Sequence, residues 1–586
     1  MLVGVEVMIP LKSLAKVVRK AVSQSFFGGS VIRVFLLSVL LSSALVLQAQ
    51  PTIASGSVLN VASYSYSGLP SGSIAQGSMF VVFGGNLGIT STGSLSYPLP
   101  TTLDKTSIQV TSGGTTVDAI MIYTTPGQVA AILPSNTPVG TGMLTLTYNG
   151  QSSSAVPIQI VPSSFGAFTQ NQGGSGPAVI QDYVSATDLP VNTIVAPAYP
   201  GQTVTLWGTG LGPTSGNDAD QPVQTNMQAA LNVQVWVGSQ QATVTYAGRS
   251  LDAAIDQIDF VVPTGVQGCY LPLAVKAGTA GVVSNIASMA VAPSAGAACS
   301  DADGINASDV ATLQSKGSVK LGAVNLTHIA LNLGIATVFS DEAAAIFGTY
   351  SPTQLSSSLG LTVSPSVGSC TVSQFLGLNP IPVDPTKPSP LDAGGSLPIT
   401  GPTGNKSIAS TSTGFYSATL GGVPLAQILT ASPEPAYFSP GSYTLSGSGG
   451  SAVGSFSSAF AVPALLSSNA TSITSIDRSK DLTVTWTGAG SGFVAISATS
   501  SVGGPLGPSA TSPGIVFLCI APASAGTFTV PSIYLQTLPP TTVQSAVPNS
   551  FLLVGTQTEP ENFSASGLDD GYLTYRSLVG TGVTVK

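Results

Sequence analysis

The sequence predicts an all-β chain built from β-sandwich units in series, and three observations carry this expectation. From Ser57 onward, short apolar or alternating runs are broken about every ten residues by Gly, Pro, Asn or Ser, and no long amphipathic helical pattern interrupts them. Residues 75–88 recur as residues 199–212, at an offset of 124 residues, so one strand-and-turn unit is used twice. Charged residues make up 7% of the chain against the roughly 25% of ordinary globular proteins, while Gly (66) and Pro (42) are abundant, so the surface is built from Ser, Thr, Asn and Gln. At 586 residues the chain exceeds one core, and domains of roughly 100 to 200 residues divide it into three to five.

The first 50 residues read as an address rather than as a folded element. Lys12, Lys16, Arg19, Lys20 and Arg33 precede an apolar stretch, residues 34–47, that ends at Gln48-Ala49-Gln50-Pro51. A basic segment, a short apolar core and a small residue at the exit predict an export signal cleaved near Ala49. The apolar core is shorter than the about 20 residues a membrane span needs. Initiation at Met8, or retention as an uncleaved anchor, stays open. Mean hydropathy is +0.41, yet beyond residue 50 no uninterrupted apolar run reaches about 18 residues, so the mature chain is expected to lack a membrane span. A net charge of −8 and a pI near 4.5 leave no basic field to displace counterions, which excludes nucleic acid and anionic membranes as partners.

The repeat organises residues 51–162 and 163–300 as two modules. Ala75-Gln-Gly-Ser-Met-Phe-Val-Val-Phe-Gly-Gly-Asn-Leu-Gly88 aligns with Tyr199-Pro-Gly-Gln-Thr-Val-Thr-Leu-Trp-Gly-Thr-Gly-Leu-Gly212; Ser107-Ile-Gln-Val110 then answers Asn232-Val-Gln-Val235, and Ala131-Ile-Leu-Pro134 answers Phe260-Val-Val-Pro263. A strand, a glycine-rich turn and later strands thus return in the same order. These motifs, with Asp256-Gln-Ile-Asp-Phe-Val-Val-Pro263 and Gly268-Cys269, resemble the IPT/TIG-type modules found in tandem in secreted acidobacterial-type proteins, over roughly residues 55–300. The resemblance implies tandem immunoglobulin-like β-sandwiches in an extracellular setting and supplies no ligand or catalytic residue. The first copy departs from the pattern with Gln76 in place of Pro and no cysteine near Gly142.

Residues 301–364 differ in texture and predict a small mixed α/β connector. Ser308 and Asp341 each open a run of good helix formers, giving expected short helices over 308–314 and 341–347. From residue 365 to 586 the β texture returns as a C-terminal β-sandwich region of one or two units. Its clearest strand is Asp481-Leu-Thr-Val-Thr-Trp-Thr487, in which Leu482, Val484 and Trp486 share the inner face and the threonines the outer one.

Four cysteines follow the export segment: Cys269, Cys299, Cys370 and Cys519. An even count in an exported chain predicts disulfides, and the three connectivities are not separated by pattern. Stapling each domain to itself favours Cys269–Cys299, the most local choice, with Cys370–Cys519.

Candidate chemistry is sparse. Gly208-Thr-Gly210-Leu-Gly212 follows a strand as a dinucleotide fingerprint does, but Pro213 replaces the helix that must hold the phosphates, and the first module repeats the glycines, so a structural turn is expected. The chain has one histidine, His328, with no GxSxG elbow, so neither a serine nucleophile's base nor a zinc cage is expected. Asp252, Asp256 and Asp259 are closely spaced carboxylates without a recognisable glycosidase arrangement, and Asp569-Asp570-Gly571 reads as a tight turn. Asp301, Asp303 and Asp309 form a weak calcium candidate, because hard cations favour clustered carboxylates; the loop lacks one residue after Gly304 and has Cys299 or Ser300 where the first ligand belongs. Leu538-Pro-Pro-Thr-Thr542 resembles a wall-sorting signal but has Thr in place of Gly and no apolar, basic tail.

These features predict no enzyme and no cofactor, and an exported binding, adhesion or scaffold protein whose partner is an extracellular polymer, a polysaccharide or a surface protein. The rival expectations are a hydrolase with an acidic pair in 365–586 and a structural spacer.

Overall fold

The computed structural model describes residues 50–586 apart from 93–95, 279–280, 334–335, 358–363, 377–378, 381–387, 429–430, 504–511 and 542–547. The segment read as an export signal, up to residue 49, and Thr542 of the sorting-signal resemblance lie outside the described residues. The all-β sandwich class expected from the sequence is the class the structure has.

Strand Thr106–Ser112 shows how the first module is built. Ile108 and Val110 point inward, while Gln109 and Thr111 face solvent, where they bond Asp118 and Thr116 of the neighbouring strand. Its sheet also holds Gly140–Tyr148 and Val156–Val161 and packs over a second sheet in which Met79–Gly85 lies between Thr52–Asn60 and Gln128–Ile132. Phe80, Val82, Ile108, Val110, Val129, Leu144 and Leu146 fill the space between.

The sequence repeat is a repeat of strand pairing. In the first module Phe80 stands opposite Ala131, and in the second Val204 stands opposite Phe260, the residues the sequence motifs align. The second module closes differently. Its strand Gln240–Arg249 pairs with Gln234–Val237 through residues 240–242, then passes a register shift between Val244 and Tyr246 while pairing with Asp256–Val261. One strand thereby serves both layers, the usual work of a bulge at a sandwich corner.

Beyond residue 318 most strands join one large sheet, while Ser467–Ser468, Leu482–Thr487 and Thr527–Val530 form a separate three-stranded sheet and Ser475–Ile476 pairs with Thr584–Val585. Val319–Asn332 and Thr337–Tyr350 form a long antiparallel hairpin; the first pairs in parallel with Asp570–Gly582, and the second pairs with Phe415–Gly422. Asp570–Gly582 continues the sheet through Ser550–Gln557, Phe493–Ser501 and Pro513–Pro522 to Ser369–Leu376. Two cores lie along this sheet, one around Leu326, Phe347, Tyr443 and Tyr575, the other around Val484, Trp486, Ile496 and Phe517.

Three local expectations are corrected. The helix expected over 341–347 is strand, because hydrogen bonding to strands on both sides outweighs the modest helix preference of Glu-Ala-Ala-Ala. The helix expected over 308–314 is present as Ala307–Lys316, but its cap is Asn306, whose side chain accepts from Ser308 and Asp309, while Asp309 closes the capping box. Asp570-Gly571 is no tight turn: it opens the strand Asp570–Gly582 beside Leu321 and Gly322.

Both disulfides follow the one-staple-per-region arrangement, Cys269–Cys299 and Cys370–Cys519. The second joins residues directly opposite each other on paired strands.

Candidate functional site

The Cys269–Cys299 bridge sets the first wall of a cleft. It holds the loop after Cys299 against the start of strand Gly268–Ala277, where an Asp301 carboxylate oxygen accepts the Cys269 amide at 3.0 Å. The loop then turns into helix Ala307–Lys316 at its Asn306 cap. Asn306 Nδ2 donates to the Tyr572 hydroxyl at 3.2 Å and to Asp570 at 3.4 Å, and that hydroxyl donates to Asp309. Tyr572 belongs to strand Asp570–Gly582, so these bonds join the loop to the large sheet.

The resulting cleft has a volume of about 940 Å³ and opens between the turns of the second module and those of the C-terminal sheet. Gln267, Ser300, Asp301, Asn306, Glu559 and Asn562 supply its polar lining, with Tyr572 and Phe493 as aromatic surface. No Lys, Arg or His stands among its described lining residues. Burial pushes the Asp301 carboxyl up to about 6, against hydrogen bonds from Ser366 and Cys269.

A buried polar network lies beside the cleft. Gln557 Nε2 donates to Asp303 at 3.2 Å, and Arg576 Nε donates to Gln557 at 2.9 Å and its Nη2 to Ser364 at 3.2 Å. Burial, reinforced by the charge of Asp301, pushes Asp303 up to about 7, while Arg576 pulls the other way. Among the described residues the remaining Asp303 oxygen and the Tyr350 hydroxyl have no hydrogen-bond partner, and both residues line a chamber of about 20 Å³, room for one water molecule.

The three carboxylates of the calcium candidate are held apart in separate hydrogen bonds. Among the described residues no three His, Cys, Asp or Glu side chains converge as a metal site. Asp301 is bonded by Cys269, Asp303 by Gln557, and Asp309 by Tyr572 and the Asn306 amide, so the carboxylates serve separate local bonds.

The other singled-out residues lie elsewhere. The turn Gly208–Gly212 does bind an anion, but the anion is the chain's own: the Gly210 and Leu211 amides each donate to Asp256 at 2.7 Å. Gly208 is required by packing, since a Cβ there would lie 2.2 Å from the Phe165 ring. Asp259 accepts from Thr205 and Gln257, and Asp252 donates its amide to Ser250, so Asp252, Asp256 and Asp259 form no shared site. Asp569 accepts from Lys316 Nζ and the Lys320 amide, both at 2.8 Å.

His328 has partners that the sequence reading missed. Its Nδ1 lies 2.5 Å from Asp341, whose other oxygen accepts the amides of Tyr437 and Phe438. Ser577 stands opposite His328 on the parallel strand, so Asp341, His328 and Ser577 form a row across three strands. All three are buried, at 0%, 5% and 3% exposure, and none lines the cleft. The signal was hidden because Asp341 reads locally as a helix cap.

No protein-family model matches the chain, and no curated protein sequence matches it. Among solved structures, domains A168-A170 of titin align with 68% of this chain and 92% of that one, at 10% identity and a TM-score of 0.12. Domains 4-9 of the surface layer protein SbsC align with 90% of this chain and 80% of that one, at 10% identity and a TM-score of 0.12. The native conformation of E. coli alpha-2-macroglobulin aligns with 87% of this chain and 39% of that one, at 9% identity and a TM-score of 0.15. Scores at this level carry no argument about function, and the sandwich architecture rests on the strand pairing itself.

Proposed function

We propose that the chain is an exported, non-catalytic binding protein of the cell envelope or extracellular space, and that it engages an extracellular polymer or surface through the cleft. The observation that carries this reading is the cleft itself: about 940 Å³ of hydroxyl, amide and carboxylate surface, fixed by a disulfide, with no His, Lys or Arg among its described lining residues. The two disulfides support an oxidising compartment, as does the export segment read in the sequence. Kinship of residues 55–300 with IPT/TIG-type modules is part of the same proposal.

Hydrolysis is the second reading, and the row Asp341, His328, Ser577 is the one observation in its favour. Burial of all three residues away from the cleft weighs against it. The mature chain should be screened in parallel against insoluble polysaccharides, cell envelopes and chromogenic hydrolase substrates. Retention without turnover, unchanged in His328→Ala, is the expected result. Turnover abolished by His328→Ala or Ser577→Ala would establish the enzyme, and neither retention nor turnover would leave a spacer.

A further inference from the structure

The chemistry of the cleft narrows its ligand. Its described lining carries the carboxylates Asp301 and Glu559 and no cationic side chain, within a chain of net charge −8. A polyanion entering it would meet like charge with no counter-charge, a cost that grows as the cleft excludes water. Phosphorylated, sulfated and uronic polymers are therefore disfavoured.

The polar groups that remain are of a particular kind. Gln267 and Asn562 present amides, and Ser239 and Ser300 hydroxyls, each able both to donate and to accept. Sugar hydroxyls have the same dual character, and carboxylates such as Glu559 take hydroxyl protons in charge-assisted bonds. Tyr572 adds an aromatic surface against which the C–H face of a sugar ring can pack. Burial holds Asp301 near a pKa of about 6, so it accepts hydroxyl protons fully only above that pH.

A peptide fits this lining less well. Extended peptides are captured by an unpaired strand edge or by deep apolar pockets. Here the walls are turns and strand ends around residues 238–239, 265–267, 300–306, 366–368 and 559–560. The volume of about 940 Å³ lies at the upper end of the roughly 300–1,000 Å³ of ligand sites, which suits several linked sugar units.

We infer that the cleft takes a stretch of an uncharged polysaccharide, recognised through its hydroxyls by Gln267, Glu559 and Asn562. This rests on the binding reading above and adds the ligand class.

The test uses the full mature chain in affinity electrophoresis and calorimetry, with soluble neutral glucan, galactan and mannan preparations, with alginate and heparin as polyanions, and with protease-treated and untreated cell envelopes. Gln267 and Asn562 are exposed, so the Gln267→Ala/Asn562→Ala variant should fold as the parent does. The expected result is binding to a neutral polysaccharide that weakens at least tenfold in this variant, with no binding to alginate or heparin. Neutral-glycan binding untouched by the variant would overturn the cleft assignment. Preference for a polyanion, or envelope binding abolished by protease, would overturn the ligand class while leaving the binding reading intact. Binding to none of these probes would overturn both.

Discussion

Arg249 and Asp256 form a buried ion pair at 2.7 Å that also ties the two modules together. While Nη1 of Arg249 holds Asp256, its Nη2 donates at 3.1 Å to the carbonyl of Gly212 and to that of Gly77 in the first module. Nearby, Ser135 of the first module donates its amide and hydroxyl to Asp218 of the second, at 2.6 and 2.8 Å. The modules are thus joined by buried, directional bonds rather than by a free linker.

Arg249→Met removes the ionic partner of a carboxylate that is fully buried. Such a broken buried pair costs about 3–5 kcal/mol. Chemical denaturation should show a loss of that size, and Arg249→Met/Asp256→Asn should recover part of it by removing the stranded charge. A loss under about 1 kcal/mol in the single variant would show that the pair does not hold the junction.

Asp303 makes stability fall as pH rises. Its folded pKa of about 7 lies above the ordinary 3.8, so the folded state holds a proton that the unfolded chain releases. The resulting stabilisation is complete below about pH 4 and lost as pH rises through about 7, up to roughly 4 kcal/mol at 1.36 kcal/mol per pK unit. Asp303→Asn should flatten the stability profile across that window. An unchanged profile would place the proton elsewhere.

The two disulfides should contribute unequally. They close sequence separations of 149 and 30 residues, for which loop-closure entropy gives roughly 5 and 4 kcal/mol. Reduction-resistant variants Cys370→Ser/Cys519→Ser and Cys269→Ser/Cys299→Ser should both unfold at lower denaturant, the first more so. Non-reducing peptide mapping that linked Cys299 to Cys370 would contradict both pairings.

Trp486 was legible as a core residue and Thr485 as its exposed neighbour, and the structure places them so. The Trp486 indole N–H donates to the Ala523 carbonyl at 2.8 Å, so Trp486→Ala should cost about 3–5 kcal/mol, against about 0.5 or less for Thr485→Ala. Comparable losses in the two variants would contradict the inside-out assignment of this strand.

What could be read in the sequence was what local pattern determines. Period-two alternation marked Thr106–Ser112 and Leu482–Thr487, and the repeat at 75–88 and 199–212 gave equivalent pairings in both modules. What could not be read depends on partners distant in sequence. Residues 341–347 have helix-forming composition, and only pairing with residues 322–328 and 415–421 makes them strand. The His328–Asp341 contact was lost with that assignment. Of the cleft only the acidic loop at 301–309 left a local signature, since its other walls come from turns near residues 238, 265, 366 and 560, each unremarkable alone.

The central claim is that ligand occupies this cleft, and hydrogen–deuterium exchange of the mature chain with and without a bound neutral polysaccharide tests it most directly. Protection should concentrate in 265–271, 300–307 and 559–572, which carry most of the polar lining, and leave the first module at 106–148 unchanged. Protection confined to the first module, or to the row around His328 with the cleft unaffected, would contradict it.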